Sequence, residues 1–370
     1  VFLPSERQER ILAAVRQRGT VRLGELVERL GVSAVTVRRD VTALADRGLL
    51  RRVHGGVTLP HRGAAEPEER RTPFGPTAAG ILLGMVVPSV EYYWPQVIQG
   101  AQTSVNAAGG RLVMRVSSYE PGEDRRQITA LLERGTRTLL VAPVVTGAYG
   151  LDLLRWLATL PVPVVMVERE PPPELPTLAL DAATTEHALG AGLAVRHLVT
   201  LGHRSIALVL SRQSPTSRAL RRGWTGTMAE LGLPRPDAWQ FEVASYGTPG
   251  WAAAYDHVLR RCRERGATAL LVHSDREAIG MVERARDLGI SVPGEMAVVS
   301  YDDEVAATSD PPLTAVRPQK HRLGRVAAEL ALARATEVER RPVHRVQLWP
   351  TLEVRESCGG QAEYEAAQGR

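Results

Sequence analysis

The stretch ILLGMVV, residues 81–87, is an unbroken apolar run between Gly80 and Pro88-Ser89. A run this short, bounded by turn residues, reads as a strand buried on both faces. Working outward, residues 93–108 carry helical periodicity and RLVMRVS (111–117) reads as a second strand. Residues 123–134 are predicted helical, TLLVAP (138–143) a strand, 149–159 helical, and VPVVMVE (162–168) a strand. Strands alternating with amphipathic helices specify a doubly wound parallel sheet of the Rossmann-like kind. The segment EPPPELPT (170–177) interrupts the order. A second run then follows: helix 184–201, strand 205–210, helix 216–231, strand 239–243, helix 250–263, strand 268–272, helix 275–288 and strand 296–300. Two α/β halves in series predict two lobes with a cleft between them, and ligands of such sheets bind at the carboxyl ends of the strands.

Polar and aromatic residues collect at those strand ends. Ser89, Tyr92, Tyr93 and Trp94 follow the first strand, and Arg169 lies between Glu168 and Glu170. Arg218 follows IALVL, Tyr246 follows QFEVA, Ser274-Asp275 follow ALLVH, and Asp302-Asp303 follow VVSY. Carboxylates that accept paired hydroxyls, arginines that donate and flat rings that stack suit a carbohydrate or nucleoside. Singly, each has a plainer role: Asp275 is equally an N-cap, Trp224 and Trp251 read as core, and Asp303 as a loop cap.

The first 60 residues differ in character. They hold eleven arginines and six acidic residues, so the whole net charge of +5 sits in this head. A basic head on a neutral body points to a polyanionic partner. Three apolar stripes, Ile11-Leu12-Val15, Leu26-Val27-Leu30 and Val37-Val41-Leu44, predict three short helices. Gly31-Val32-Ser33 joins the last two, with Gly31 suited to end a helix and Ser33 to cap the next. This is a helix-turn-helix pattern. Residues 49–53 and 57–59 around Gly55-Gly56 read as a hairpin wing. Ser33, Thr36, Arg38 and Arg39 on the third helix are candidate contacts to bases and phosphates, and Arg51, Arg52 and His54 candidate contacts from the wing. Asp40 reads as an internal partner for an arginine.

The string SAVTVRRDVTALADRGLLRRVHGGV (33–57) resembles the DeoR-type winged helix-turn-helix, through Thr36-Val37-Arg38-Arg39-Asp40, Leu44, Gly48 and His54-Gly55-Gly56. The resemblance covers residues 5–60 and implies binding to double-stranded DNA. The body, 80–357, resembles the LacI/GalR sensor domain, which shares the two-lobed, type I fold of periplasmic sugar-binding proteins. Its most specific stretches are 178–209, 269–303 and 311–332. That resemblance implies effector contacts at Arg218, at Asp302, at Ser274-Asp275 and in the aromatic cluster 92–94, and it implies a homodimer. Two features depart from typical LacI proteins: the helix-turn-helix is of another type, and no hinge helix is legible between residues 60 and 80.

The expected organisation is therefore a DNA-binding domain over 1–60, a proline-bearing linker over 61–79, a sensor over 80–357 and a tail over 358–370. The lobes are expected at 80–178 with 312–337, and at 179–311 with 338–357. The effector-binding site is assigned to Ser89, Tyr93, Trp94, Arg169, Arg218, Tyr246, Asp275 and Asp302.

The sequence carries no GxSxG elbow, HExxH helix, Walker A loop or CxxC pair, so no enzyme, cofactor or metal is expected. His187, His197 and His203 are too widely spaced for a helical metal pair and read as structural or surface residues. Only two cysteines occur, Cys262 and Cys358, and no secretory pattern or long apolar run is present. Both readings fit a cytoplasmic protein without a membrane span. A sugar-metabolising enzyme with an appended domain and a transport binding protein are the competing readings. The first lacks a catalytic constellation and the second leaves the basic head without a use.

Overall fold

The computed structural model describes residues 7, 10–12, 14, 15, 20–46, 50–53, 56–58, 80–118, 122–212, 214–234, 237–337 and 341–360. The chain divides into two compact units, Val1–Thr72 and Pro73–Arg370.

In the first unit, β1 (Thr20–Arg22) precedes α1 (Leu23–Leu30) and α2 (Ala34–Asp46), and β2 (Arg51–Val53) and β3 (Gly56–Thr58) follow. The strands form an antiparallel sheet in the order β1-β3-β2. Strand β1 was not among the sequence expectations, because TVR is too short to show alternation. Gly31 adopts φ +62° and donates its N–H to the Val27 carbonyl at 3.0 Å, closing α1. The Ser33 hydroxyl accepts from the Thr36 N–H at 3.3 Å and opens α2. Ile11, Val15, Leu26, Val37, Val41, Leu44 and Val57 bury one another, as the three stripes require. Asp40 is buried against Arg7 in a two-pronged pair, Nε to Oδ2 at 2.5 Å and Nη2 to Oδ1 at 3.1 Å.

The second unit holds two six-stranded sheets. The first comprises β4 (Leu82–Val87), β5 (Arg111–Val116), β6 (Thr138–Val141), β7 (Val164–Val167), β8 (Asp181–Thr185) and β14 (Arg345–Leu348), in the order β14-β8-β7-β6-β4-β5 and parallel throughout. Leu83, Met85 and Val87 face α3 (Trp94–Ala107) and α10 (Lys320–Thr336), while Val86 faces α4 (Glu123–Glu133) and α5 (Gly147–Leu157). This is the period-two division of a strand covered on both sides.

The second sheet comprises β9 (Ile206–Ser211), β10 (Gln240–Val243), β11 (Ala269–His273), β12 (Ala297–Tyr301), β13 (Thr314–Arg317) and β15 (Thr351–Glu353). Its order is β10-β9-β11-β12-β13-β15, with only β15 antiparallel to its neighbour. Helices α6 (His187–Thr200) and α7 (Ser217–Glu230) cover one face, and α8 (Trp251–Glu264) and α9 (Asp275–Asp287) the other. Trp224 is buried in this core, and Trp251 packs half-buried between Tyr246 and Tyr255.

The chain crosses between lobes three times: from β8 to α6, from β13 to α10, and from β14 to β15. The expected lobe boundaries are corrected at three strands. β8 and β14 belong to the first lobe and β13 to the second, each opposite to the sequence assignment. Long-range pairing decides their places. Asp181 of β8 is buried because Arg334 of α10 grips it, Nε at 2.6 Å and Nη2 at 2.8 Å, while the N–H of His344, just ahead of β14, donates at 2.6 Å. The linker 61–79 and residues 361–370 lie outside the described residues. No helix among the described residues is long and apolar enough to cross a membrane.

Candidate functional site

Between the lobes lies a cleft of two adjoining chambers, of about 570 Å³ and about 340 Å³. Their walls are the carboxyl ends of β7, β8, β9, β11 and β12, with the turn that precedes α3. This is where a doubly wound sheet leaves backbone dipoles and side chains free for a ligand.

The smaller chamber gathers Tyr93, Trp94, Arg169 and Asp302 from the expected set. Arg169 is buried and held by its own lobe, Nε donating to the Pro143 carbonyl at 3.2 Å and Nη1 to the Glu168 carbonyl at 2.8 Å. Its guanidinium lies 5.8 Å from the Trp94 ring centre, within cation–π range. Asp302 is buried with φ +103°, and Glu168 and Tyr92 also hold positive φ, +55° and +56°. Such conformations are sparsely populated by residues with side chains and gather at functional sites. Burial, then the charge of Asp275, pushes the Asp302 carboxyl well above the usual carboxylate range. His273 Nε2 stands 3.7 Å from Asp302 Oδ2, and burial drives this imidazole down to about 4, so it is neutral at pH 7.

The floor shared by both chambers is Glu168. Burial would raise its carboxyl, but His187, Thr185 and Tyr93 bring it down to about 2. The Thr185 hydroxyl donates to it at 2.6 Å and the Thr185 N–H at 2.9 Å, and the Tyr93 hydroxyl also donates. His187 Nε2 lies 3.3 Å away, and its Nδ1 pairs with the Tyr301 hydroxyl at 3.0 Å. Burial and then the charge of Glu168 hold Tyr93 well above the ordinary phenol, so it remains a donor.

The larger chamber contains Arg169 and Arg218 of the expected residues, with Arg222 one turn on from Arg218. Arg221 points elsewhere and pairs with Glu242 at 2.5 Å. Arg218 and Arg222 share a face of α7 because they are four residues apart.

Three expected residues line neither chamber. Ser89 accepts from the Glu91 N–H at 3.0 Å in a turn. Tyr246 packs on Trp251 and donates to Glu283 at 3.0 Å, on the surface. Asp275 is fully buried and accepts from the Ser300 hydroxyl at 2.8 Å and from the N–H groups of Glu304, Val305 and Asp303 at 2.6, 3.0 and 3.3 Å. Its oxygens are committed to the loop that presents Asp302, so it positions that residue.

Conversely, His187, expected as a structural or surface residue, lines both chambers, and Glu168 and His273 complete the walls together with Ser274, which the resemblance implied. The signal for Glu168 was its place beside Arg169 at a strand end. Nothing local marked His187, whose partners are Glu168 and Tyr301.

In the first unit, Ser33 and Arg39 are exposed and Thr36 is half-buried, with Ser33 Oγ and Thr36 Oγ1 2.9 Å apart at the start of α2. Arg38 lies on α2, and Arg51 and Arg52 on β2; their side chains, and all of His54, lie outside the described residues.

Comparison with known proteins places a DeoR-like helix-turn-helix domain at residues 7–62 and a periplasmic binding protein-like domain at residues 195–358. The HTH-type transcriptional repressor PurR of Haemophilus influenzae is 27% identical over 281 residues, 74% of this chain and 80% of that protein. An arabinose metabolism transcriptional repressor of Geobacillus stearothermophilus is 24% identical over 331 residues, covering 87% and 85%. Among solved structures, the complex of the transcriptional regulator CelR with cellobiose matches with a TM-score of 0.64 at 22% identity, over 88% of this chain and 91% of that one. The fold is thus a two-lobed, periplasmic binding protein-like α/β fold, preceded in the sequence by a helix-turn-helix domain.

Proposed function

We propose that this protein is a DNA-binding transcriptional repressor of a carbohydrate-related operon, controlled by a small sugar-like effector bound between its two α/β lobes. The observation that carries this reading is that one chain joins a helix-turn-helix to a cleft walled by aromatic rings, arginines and buried carboxyls. The similarity to repressors along most of the chain supports it.

In this reading α2 enters the major groove. Ser33 and Thr36 donate near its start, and Arg38 and Arg39 reach bases or phosphates, with Arg51, Arg52 and His54 on the flanking backbone. Two heads in a homodimer read two half-sites. In the cleft, Tyr93 and Trp94 stack on the effector, Arg169 and Arg218 donate to its oxygens, and Asp302 exchanges hydrogen bonds with its hydroxyls. Closure of the lobes on the effector changes the spacing of the two heads in the cytoplasmic dimer. No hinge helix is legible in the sequence between residues 60 and 80, so this reading takes the spacing of the heads as the variable that the ligand changes.

The test is fluorescence anisotropy with duplex DNA from upstream of the protein's own gene, over a series of salt concentrations, with and without a panel of sugars. Salt-steep, sequence-selective binding that one sugar alters is expected. Selective DNA binding that no sugar changes would remove the effector half of the reading; no selective binding would remove the regulator.

A further inference from the structure

Accepting that the cleft takes a sugar-like ligand, we infer that its ligand is an uncharged disaccharide, one ring in each chamber. The two chambers share Glu168, Arg169, His187, Pro215 and Thr216, so one molecule can run through both. Each chamber by itself falls in the range of roughly 300–1,000 Å³ that a small-molecule site occupies. A single sugar ring would leave one of them to water.

The two chambers also differ in chemistry. The smaller one carries Tyr92, Tyr93 and Trp94 beside Asp302 and Ser274, the walls of a site that stacks and orients one ring. The larger has no phenylalanine, tyrosine or tryptophan in its lining. Its wall includes Pro171, Pro172 and Pro173 in succession, three residues with no backbone N–H and a fixed φ. Such a wall is stiff and apolar and offers no donors, which suits the C–H face of a second ring. Arg218 and Arg222 from α7 stand at the same chamber for that ring's hydroxyls.

Charge decides between a neutral and an anionic ligand. The larger chamber is lined by three arginines, Arg169, Arg218 and Arg222, and three glutamates, Glu168, Glu170 and Glu174. Arg222 lies 3.8 Å from Glu170, and Glu168 is held by its own donors. No excess of positive charge is left for a phosphate. Nor does either chamber present the asparagine or glutamine amide that would pair with a nucleobase edge.

The experiment is calorimetric titration of the full chain with lactose, maltose, sucrose and cellobiose, with their component monosaccharides, with glucose 6-phosphate and with adenosine. One disaccharide is expected to bind at least tenfold more tightly than either of its monosaccharides. Ala219→Trp, which fills the larger chamber from α7, should bring that disaccharide down to the affinity of a monosaccharide. Leu151→Phe narrows the same chamber from the other lobe and replaces it if Trp at 219 lowers the melting temperature. A monosaccharide that binds as tightly as its disaccharides overturns the two-ring inference while leaving the proposed function standing. Tighter binding of the sugar phosphate or adenosine overturns the chemical class. If no carbohydrate binds, this inference and the sugar-controlled reading both fall.

Discussion

Nε2 of His187 lies 3.3 Å from Oε2 of Glu168, and this one contact ties the first residue of the second lobe to a strand end of the first. Both side chains are nearly excluded from solvent, 11% and 3% exposed, so the interaction is weakly screened. It sits at the floor of both chambers and beside the first lobe crossing. Any relative movement of the lobes must act on it.

His187→Ala removes the imidazole that lies 3.3 Å from Glu168 but leaves the donors from Thr185 and Tyr93. Glu168 is held at about 2, below its ordinary 4.5. A carboxylate lowered by folding stabilises the native state above its unfolded value and loses that contribution as pH falls through the folded one. The wild-type contribution is therefore complete above about pH 4.5 and fades toward pH 2. In the variant Glu168 moves up, so acid unfolding should begin at higher pH, with a loss of about 1–3 kcal/mol at pH 7. Near-ultraviolet circular dichroism during acid titration measures the shift; superimposable wild-type and variant curves would show that His187 does not hold Glu168 down.

Asp302→Asn should separate stability from binding. Burial and the charge of Asp275 raise the Asp302 carboxyl, so the folded state holds a proton that the unfolded state has released above pH 4. Stability from this group is full at low pH and is lost as pH rises toward the raised value. Asparagine keeps the shape without the ionisation, and the melting temperature at pH 8 should rise by about 2–4 °C for each kcal/mol recovered. Effector affinity should fall about tenfold or more, because an acceptor for hydroxyls is lost. Melting at pH 5 and pH 8, with titration of the effector, reads both. A variant that is less stable at pH 8 contradicts the assignment.

The legible part of this molecule was the part set by local pattern. ILLGMVV and VPVVMVE are apolar because both their faces are covered, and the covering helices show in the 3.6-residue spacing. Strand β8, DAATT, had no such pattern. Its Asp181 is tolerated inside only because Arg334 lies across from it, 153 residues away. The same dependence on distant partners hid the lobe crossings. Tyr93, Trp94, Arg169, Arg218 and Asp302 were readable as strand-end chemistry. Asp275 has the same local signature, yet the backbone of 303–305 occupies it. His187 reads locally as a structural or surface residue for the converse reason, since its partners, Glu168 and Tyr301, are remote in sequence.

Two glycines set the approach of α3 and α10. A Cβ at Gly324 would stand 1.9 Å from the Val97 carbonyl oxygen, and one at Gly100 1.9 Å from that of His321. Backbone atoms cannot retreat as a side chain can, so Gly324→Ala must separate the helices and open the first lobe's core. A loss of about 3 kcal/mol or more is expected, at the upper end of overpacking effects. Gly226 on α7 provides the control, because it is exposed and nothing lies within 4 Å of its Cβ position. Gly226→Ala should gain about 0.5–1 kcal/mol from reduced chain entropy. Urea denaturation of both variants tests the pair, and an equal response at the two positions would contradict the close crossing.

Arg39 and Asp40 are adjacent on α2 but should fail differently. Arg39 is exposed, whereas Asp40 is buried and bound to Arg7 by two hydrogen bonds. Arg39→Ala removes a charge from the helix proposed to enter the major groove, without touching the core. Binding should weaken while the melting temperature stays unchanged, and the slope of log affinity against log salt should fall by about 1 if Arg39 meets a phosphate. If it instead reads a guanine, the salt slope holds and discrimination at one base pair falls by about 1–3 kcal/mol. Asp40→Ala leaves Arg7 without its carboxylate and loosens the packing of α2. Its DNA affinity should drop for every sequence, together with the melting of the head. Anisotropy titrations on matched and mismatched duplexes, paired with thermal melts, distinguish these outcomes. Loss of melting in Arg39→Ala, or its retention in Asp40→Ala, would show that the roles of the two residues have been exchanged.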